Sequence, residues 1–464
     1  MKNKYSELID QTFEFPTEEF QTNLNGELVY RDIPLMEMTK KFGTPLRFSY
    51  LPKISENIQK AKLWFSDAFK KHSYQGEYHY CYCTKSSHYR YIIEEALKND
   101  THIETSSAFD LDIVHQLYKE EKLKPTTYIV CNGFKTEDYV NKIVALLEKG
   151  FENLIIVLDN TEEIDLFVER TKKTINLGIR IAAEEEPKFE FWTSRLGIGY
   201  KYITPFYEEK IKQLPNVRLK MLHFFINTGI RDTAYYWNEL HKCLTVYGLL
   251  INQAPHLEYL NIGGGFPIKR NLNFDFDYAH MVDEIVNQIK TKCNEVNAKV
   301  PHLFTEFGSY TVGESGGLIM KVLGQKTQND RERWNMVDSS FMTTLPDSWA
   351  INERFILLPL NRWHHKYERV LLGGLTCDSD DYYNSEQHVN AIYLPEYDKK
   401  DPIYIGFFNT GAYQETLSGQ GGLKHCLLPE PKKVLINKDE DGTIQYRLWK
   451  EEQDAASMLK ILGY

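Results

Sequence analysis

From about Gly43 to Phe307 short apolar runs alternate with longer amphipathic ones, and this alternation limits the fold more than any other feature of the 464-residue chain. The runs Tyr78–Thr84, Thr127–Cys131, Leu154–Leu158, Leu177–Ala182, Leu219–Phe225, Tyr259–Ile262 and Leu303–Glu306 are β-prone. Between them Ser87–Asn99, Thr136–Glu148, Thr161–Thr171, Thr204–Gln213, Ala234–Asn252 and Tyr278–Asn294 read as helices. In Thr136–Glu148 the apolar residues at 140, 143, 144, 146 and 147 share one helical face. Strands separated by helices pair in parallel, because the crossover needs the length of a helix. Seven such strands suit an α/β fold of the (β/α)8 TIM-barrel type with one unit concealed. An open doubly wound sheet is the alternative, and periodicity alone does not separate the two.

After Phe307 the texture changes. Leu318–Leu323, Arg354–Leu358, Arg369–Leu372, Ile403–Phe408 and Lys433–Ile436 read as strands, followed by a short helical tail at Glu451–Leu462. This is a second, mainly β domain. Near the N-terminus Glu27–Tyr30 and Ile33–Leu35 are strand-like pieces that can pair into it. The expected division is residues 1–42 as an N-terminal segment contributing strands, 43–312 as the barrel and 313–464 as the β domain.

The charge balance, 55 Lys+Arg against 65 Asp+Glu for a net −10, argues against a protein that neutralises nucleic-acid phosphates. No apolar run approaches the ~20 residues of a membrane span. The start, MKNKYSELIDQTFEFPTEEF, lacks the apolar core of a signal peptide. Seven cysteines at 81, 83, 131, 243, 293, 377 and 426 form no CxxC pair, so neither a disulfide framework nor a zinc knuckle is expected. A cytoplasmic protein in a reducing compartment is the expectation. The aromatic content, 30 Tyr, 25 Phe and 7 Trp, is unusually high.

Barrel active sites lie at the C-terminal ends of the strands, so those positions carry the chemistry if any do. Lys85 follows the first strand in YHYCYCTKSS; a desolvated lysine is a nucleophile, whereas a solvated loop lysine is the plainer reading. Glu104 and Asp110 flank the next junction in IETSSAFD, where Asp110 can serve simply as a helix N-terminal charge. Arg180 sits inside an apolar strand in NLGIRIA and needs an anionic partner, structural or otherwise. Gly263, Gly264 and Gly265 follow LEYLNI and can close backbone N–H groups around a phosphate, although turns use glycine too. Glu306 ends a strand in HLFTEFG, placed to bind a protonated ring nitrogen or a metal, or to cap a helix. In the β domain LLGGLTCDSDDYY sets Cys377 beside Asp378, Asp380 and Asp381 without the glycine and terminal glutamate of a calcium hand. Tyr413 occupies a glycine-bounded turn in FFNTGAYQETLSG. The histidines form no metal-ligand set at recognised spacing.

Taken together YCTK, GIRIA, NIGGGFP, TEFG, TCDSDD and GAYQE resemble, in order, the motifs of the fold-type III pyridoxal-phosphate-dependent decarboxylases of basic amino acids. CNGFK, TTLPDSWAI and GFFNTGAYQE are most similar to the biosynthetic arginine decarboxylases within that family. The resemblance implies pyridoxal 5'-phosphate as cofactor and a basic L-amino acid (arginine, lysine, hydroxylysine or ornithine type) as substrate, decarboxylated to its amine. It implies that Lys85 binds the cofactor aldehyde, Glu306 pairs with its ring nitrogen, and Gly263–Gly265 and Tyr413 bind its phosphate. Arg180 and Glu104 would line the ring and the lysine. Cys377 would return a proton to the substrate α-carbon, and Asp378 would pair with the substrate's distal cation. In the family this Cys-Asp pair serves the neighbouring subunit, which implies a homodimer with shared active sites.

Two positions depart from the family pattern. HFFINTG places Phe225 where a stacking histidine is usual, with Asn227 and Thr228 in place of glycine and serine. Phe225 can still stack on a ring, and Thr228 keeps a hydroxyl for phosphate. In TEFGSY, Ser309 stands where a phosphate-binding arginine is expected, so a charge-assisted contact is lost. A racemase on the same fold, which needs a second base opposite the lysine, and a non-catalytic cofactor-binding barrel are the competing readings. Cys377 among acids favours decarboxylation over the first, and the β domain with its Cys-Asp motif over the second.

Overall fold

The computed structural model describes residues 15–124, 126–184, 193–330, 332–383 and 392–464. They fall into two compact units. One comprises residues 54–267 and 276–311, the other 1–53, 268–275 and 312–464.

The first unit is a closed eight-stranded parallel barrel. Its strands run in chain order: Tyr78–Cys83, His102–Thr105, Ile129–Cys131, Leu154–Leu158, Ile175–Ile181, Val217–Phe224, Tyr259–Asn261 and His302–Glu306. Closure comes from the last strand pairing the first, Leu303 opposite Tyr78 and Glu306 opposite Cys81. The concealed unit is the strand His102–Thr105 with its helix Ala108–Lys119. HIET is short and polar, so no apolar run marks it. It is a strand because neighbours on both sides supply ladder partners, Cys83 for Glu104 and Cys131 for Thr105.

Helix starts follow capping chemistry. Ser107 and Asp110 form a reciprocal capping box, while Thr136, Thr233 and Asp277 each accept a first-turn N–H. Asp110 therefore has a structural role, and His88 Nε2 stands 3.0 Å from its Oδ1. Burial alone would raise its carboxyl, but hydrogen bonds from His88 and the Ser106 and Ser107 region hold it below the ordinary range.

An aromatic and imidazole plug fills the N-terminal end of the barrel, where His79, His102, Tyr128, Tyr259 and Phe304 meet. The His79 and Phe304 ring centroids are 4.5 Å apart, His79 Nδ1 lies 3.2 Å from His102 Nε2, and the Tyr128 and Tyr259 hydroxyls are 3.1 Å apart. Burial drives the two imidazoles down to about 4 and about 3, so both are neutral at physiological pH. Above the plug Cys81, Val130, Ile155, Val157 and Met221 continue an apolar interior. The barrel is thus packed below its mouth, and part of the aromatic excess is spent here.

The second unit is built on a ten-stranded sheet. Its longest strand, Gly316–Thr327, pairs with Arg333–Val337, with Tyr404–Phe408 and with Leu46–Tyr50. The last pairing corrects the expected boundary at residue 43. LRFSY is buried along its whole length and is claimed by Gly316–Ile319 and by Lys432–Lys438 on its other side. The N-terminal pieces expected to pair into the β domain instead form their own three-stranded sheet, Phe20–Thr22, Leu28–Tyr30 and Ile33–Pro34. Leu35 opens a helix rather than ending a strand. The small sheet packs Phe20, Leu28, Tyr30 and Ile33 into a core with Phe48, Ile319 and Phe408. Residues 268–275 also belong here, with Lys269 Nζ 2.6 Å from Glu19 and the Arg270 guanidinium over the Phe355 ring. The tail is a strand, Ile444–Lys450, before the helix Ala455–Leu462.

Candidate active site

Six of the eight barrel strands end in, or lead directly into, a polar side chain at the mouth: Thr84, Thr105, Asn132, Asp159, Asn261 and Glu306. A tight turn, Thr84–Ser86, follows the first strand and presents Lys85 with its side chain 47% exposed. The adjacent strand carries Glu104 opposite Cys83, fully buried, with Oε2 3.5 Å from Lys85 Nζ. Its other oxygen accepts from Ser106 Oγ at 2.9 Å and Asn132 Nδ2 at 3.0 Å.

Asn132 follows the third strand and bridges two carboxylates. The same Nδ2 donates to Glu306 Oε1 at 2.8 Å, and Asn261 Nδ2 donates to that oxygen at 2.6 Å. Two buried carboxylates repel, and an amide donor between them offsets that repulsion without adding net charge. Glu306, the last residue of its strand, is thereby fixed through Oε1. Its Oε2 faces His223 Nε2 at 3.7 Å, while His223 Nδ1 lies 3.3 Å from the Asn261 carbonyl. Burial drives His223 down to about 3, and the Arg180 cation acts in the same direction. The imidazole is therefore neutral, and its contact with Glu306 is not an ion pair. Arg180 is the register partner of His223, and its guanidinium lies 5.8 Å from the centroid of Phe225. Cys83 donates its thiol to the Glu306 carbonyl at 3.0 Å, and burial keeps that thiol protonated.

The glycine run is required by close backbone approach. A Cβ on Gly264 would lie 2.2 Å from the Glu306 carbonyl oxygen, and one on Gly265 would lie 2.6 Å from Gly229 Cα. Gly263 has φ +70°, and its N–H donates to Asn261 Oδ1 at 2.9 Å. The loop at Gly265 meets the turn after Phe225, where Ile230 N donates to the Gly265 carbonyl at 2.9 Å. In that turn Thr228 Oγ1 and both amide atoms of Asn227 are buried without a protein partner. Unmade hydrogen bonds at buried atoms cost about 1–3 kcal/mol each, so the niche suits a ligand rich in acceptors. Gly264→Ala is expected to destabilise the barrel by about 1–3 kcal/mol. Calorimetry checks this, and an unchanged Tm would contradict the close approach at Glu306.

The arrangement fits pyridoxal 5'-phosphate: a primary amine at the mouth, a buried carboxylate with one oxygen held by two asparagines and the other left to a ligand and His223, and a glycine-built niche with unused polar atoms. Of the residues singled out from sequence, Lys85, Glu104, Arg180, Phe225, Thr228, Gly263, Gly264, Gly265 and Glu306 all lie at this end of the barrel unit. Asn132, His223 and Asn261 join them but were not read from the sequence. Their only signal was placement at strand ends, in CNGFK, HFFINTG and YLNIGGG.

Cys377, Asp378 and Tyr413 belong to the mainly β unit. The acidic trio there divides. Asp381 is buried and accepts from Phe341 N, Ser340 Oγ, Thr376 N and Thr376 Oγ1 at 2.8–3.1 Å, which ties down the loop. Gly374 is needed beside it, because a Cβ there would meet Asp381 Oδ2 at 2.2 Å. Asp378 is more open, with a side-chain exposure of 37%. Cys377 is exposed. Tyr413 has φ +66°, a left-handed conformation uncommon outside glycine.

A profile of the pyridoxal-binding domain of pyridoxal-dependent decarboxylases matches residues 56–313. The biosynthetic arginine decarboxylase of Prochlorococcus marinus (strain AS9601) is 22% identical over 92% of this chain and 83% of its own. Among solved structures, the biosynthetic arginine decarboxylase of Campylobacter jejuni superposes with a TM-score of 0.81 at 20% identity, covering 98% of this chain and 90% of that one. Diaminopimelate decarboxylase of M. jannaschii gives 0.78 at 19%, covering 96% and 97%. At those identities the superpositions establish the two-part fold. The matched domain spans more than half of the chain and holds the lysine, the glycine loop and the strand-end glutamate described above, and on that footing the chain belongs to the pyridoxal-dependent decarboxylase family.

Proposed function

We propose that the protein decarboxylates a basic L-amino acid to its amine, with arginine as the first substrate to test and lysine-type diamino acids as the second. The observation that carries this reading is Glu306, fixed through one oxygen by Asn132 and Asn261 with the other facing His223 at 3.7 Å, and joined through Asn132 to the Lys85–Glu104 pair. The names of the relatives support the substrate class: arginine decarboxylases in sequence, arginine and diaminopimelate decarboxylases in structure.

Pyridoxal phosphate, when bound, supplies an electron sink for the pair left behind as CO2 departs. Lys85 would hold the cofactor at its aldehyde. Glu306 Oε2 would hold a proton on the ring nitrogen, and neutral His223 leaves that negative charge uncancelled. Phe225 would cover one ring face. Thr228, Asn227 and the N–H groups of Gly264 and Gly265 would take the phosphate, with Gly263 shaping the loop, since Ser309 brings no charge to it. Tyr413 would assist there.

Cys377 would return the proton to the α-carbon, and Asp378 would accept the substrate's distal cation. This requires a homodimer in which the Cys377–Asp378 loop of one subunit serves the barrel of the other. Among the described residues no helix is long and apolar enough to cross a membrane. That is compatible with the cytoplasmic setting proposed here.

The test is CO2 release from the cofactor-loaded enzyme over a panel of arginine, lysine, hydroxylysine, ornithine and diaminopimelate. Turnover on at least one is expected, with its amine as the product. No release from any of them overturns the reading.

A further inference from the structure

The loop of Cys377 meets the segment His425–Leu427 within the mainly β unit. Cys377 Sγ and Cys426 Sγ are 3.5 Å apart, and these two are the exposed cysteines of the chain. The donor atoms of Cys377, Cys426 and His425 all lie within 4.8 Å of one another. Asp378 Oδ2 stands 3.8 Å from His425 Nε2, a carboxylate oxygen at the same edge. Two sulfur ligands, one imidazole and an oxygen form the donor set of zinc. With Zn–S of about 2.3 Å and Zn–N of about 2.0 Å, tetrahedral ligand atoms stand roughly 3.3–3.8 Å apart. The thiol pair and the His425–Asp378 pair already have that spacing.

Both halves of the cluster are anchored from behind. Asp381 holds Thr376, next to Cys377, by its N–H and its hydroxyl. Lys424, next to His425, is buried with Nζ 2.7 Å from Glu430 and bonded to the Ser418 carbonyl. Donors held by their own supports lose little freedom on ligation.

The geometry points to a zinc site formed by Cys377, Cys426 and His425, with Asp378 or a water in the fourth position. Zinc displaces the thiol protons and coordinates both sulfurs as thiolates. Its consequence for catalysis rests on the function proposed above: a bound ion withholds Cys377 from proton return, so zinc inhibits. Cys426 and His425 have no part in that chemistry, and the inhibitory site can be removed without touching the catalytic one.

The experiment uses the full-length, cofactor-loaded enzyme freed of metal by a chelator. Thiols are counted with an aromatic disulfide reagent, with and without one equivalent of Zn²⁺, alongside equilibrium dialysis of Zn²⁺. Both exposed thiols are expected to react quickly in metal-free enzyme and to be protected by zinc. Cys426→Ser and His425→Ala are expected to weaken zinc binding by at least 10-fold and to lose the protection. Both should keep the metal-free rate of CO2 release while losing its inhibition by zinc. Zinc that leaves both thiols reactive, or that binds Cys426→Ser as tightly as the parent, overturns the site. If zinc protects the thiols but no basic amino acid is turned over, the site stands and the proposed function falls.

Discussion

Replacing Lys85 with alanine is expected to lower kcat by on the order of 10³-fold or more, because the amine proposed to hold the cofactor aldehyde is removed. The fold should survive. The side chain is 47% exposed at the mouth and belongs to no core cluster. What the substitution removes structurally is the cation beside Glu104 Oε2, a fully buried carboxylate oxygen without a hydrogen bond of its own. Lys85→Arg separates the two effects. It keeps a positive charge near Glu104 but offers no amine nucleophile, so stability should be restored while activity stays lost. The measurements are single-turnover CO2 release and the near-ultraviolet and visible absorbance of bound cofactor, which should be sensitive to borohydride in the parent only. Retained activity in Lys85→Ala would refute the assignment.

The second large effect is expected at Glu306. Glu306→Gln preserves shape and still lets the side-chain oxygen accept from Asn132 and Asn261. It replaces Oε2 with an N–H donor, which cannot hold a proton on a ring nitrogen. A fall in kcat on the order of 10²-fold is expected, with kcat/KM falling in parallel, because the lost interaction strengthens as charge develops in the transition state. Burying a neutral amide in place of a charge also removes the repulsion between Glu104 and Glu306, so Tm should not drop. A kcat within twofold of the parent would place the ring-nitrogen contact elsewhere.

Much of this site was legible in the chain. Lys85 and the glycine run follow a strand, Glu306 ends one, and Glu104 and Arg180 each lie one residue before a strand's end; position on a strand is a local property. The residues that hold them were not legible. Asn132 acts on Glu306 across 174 residues of chain, and Asn261 acts on it across 45. An asparagine after a strand is an ordinary turn residue until the barrel closes and places a carboxylate against it. His223 is similar. In sequence it is a polar residue in an apolar strand, and only burial, with the Arg180 cation beside it, makes it a neutral neighbour of Glu306 at physiological pH.

The strand-helix alternation, the change of texture after Phe307 and the motifs GGG, TEFG and TCDSDD all come from residues close together in the chain. Propensity, periodicity and turn chemistry act over that range, so barrel, β domain and family were readable there. Long-range pairing determined the rest. It made HIET the eighth strand, gave LRFSY to the β unit, made Asp381, one of the acids beside Cys377, a buried loop anchor, and set Cys426 3.5 Å from Cys377 across 49 residues. In each case the side chain is compatible with several environments. The environment is chosen by which distant segment needs its hydrogen bonds satisfied or its apolar face covered, and that becomes defined only when the sheets close.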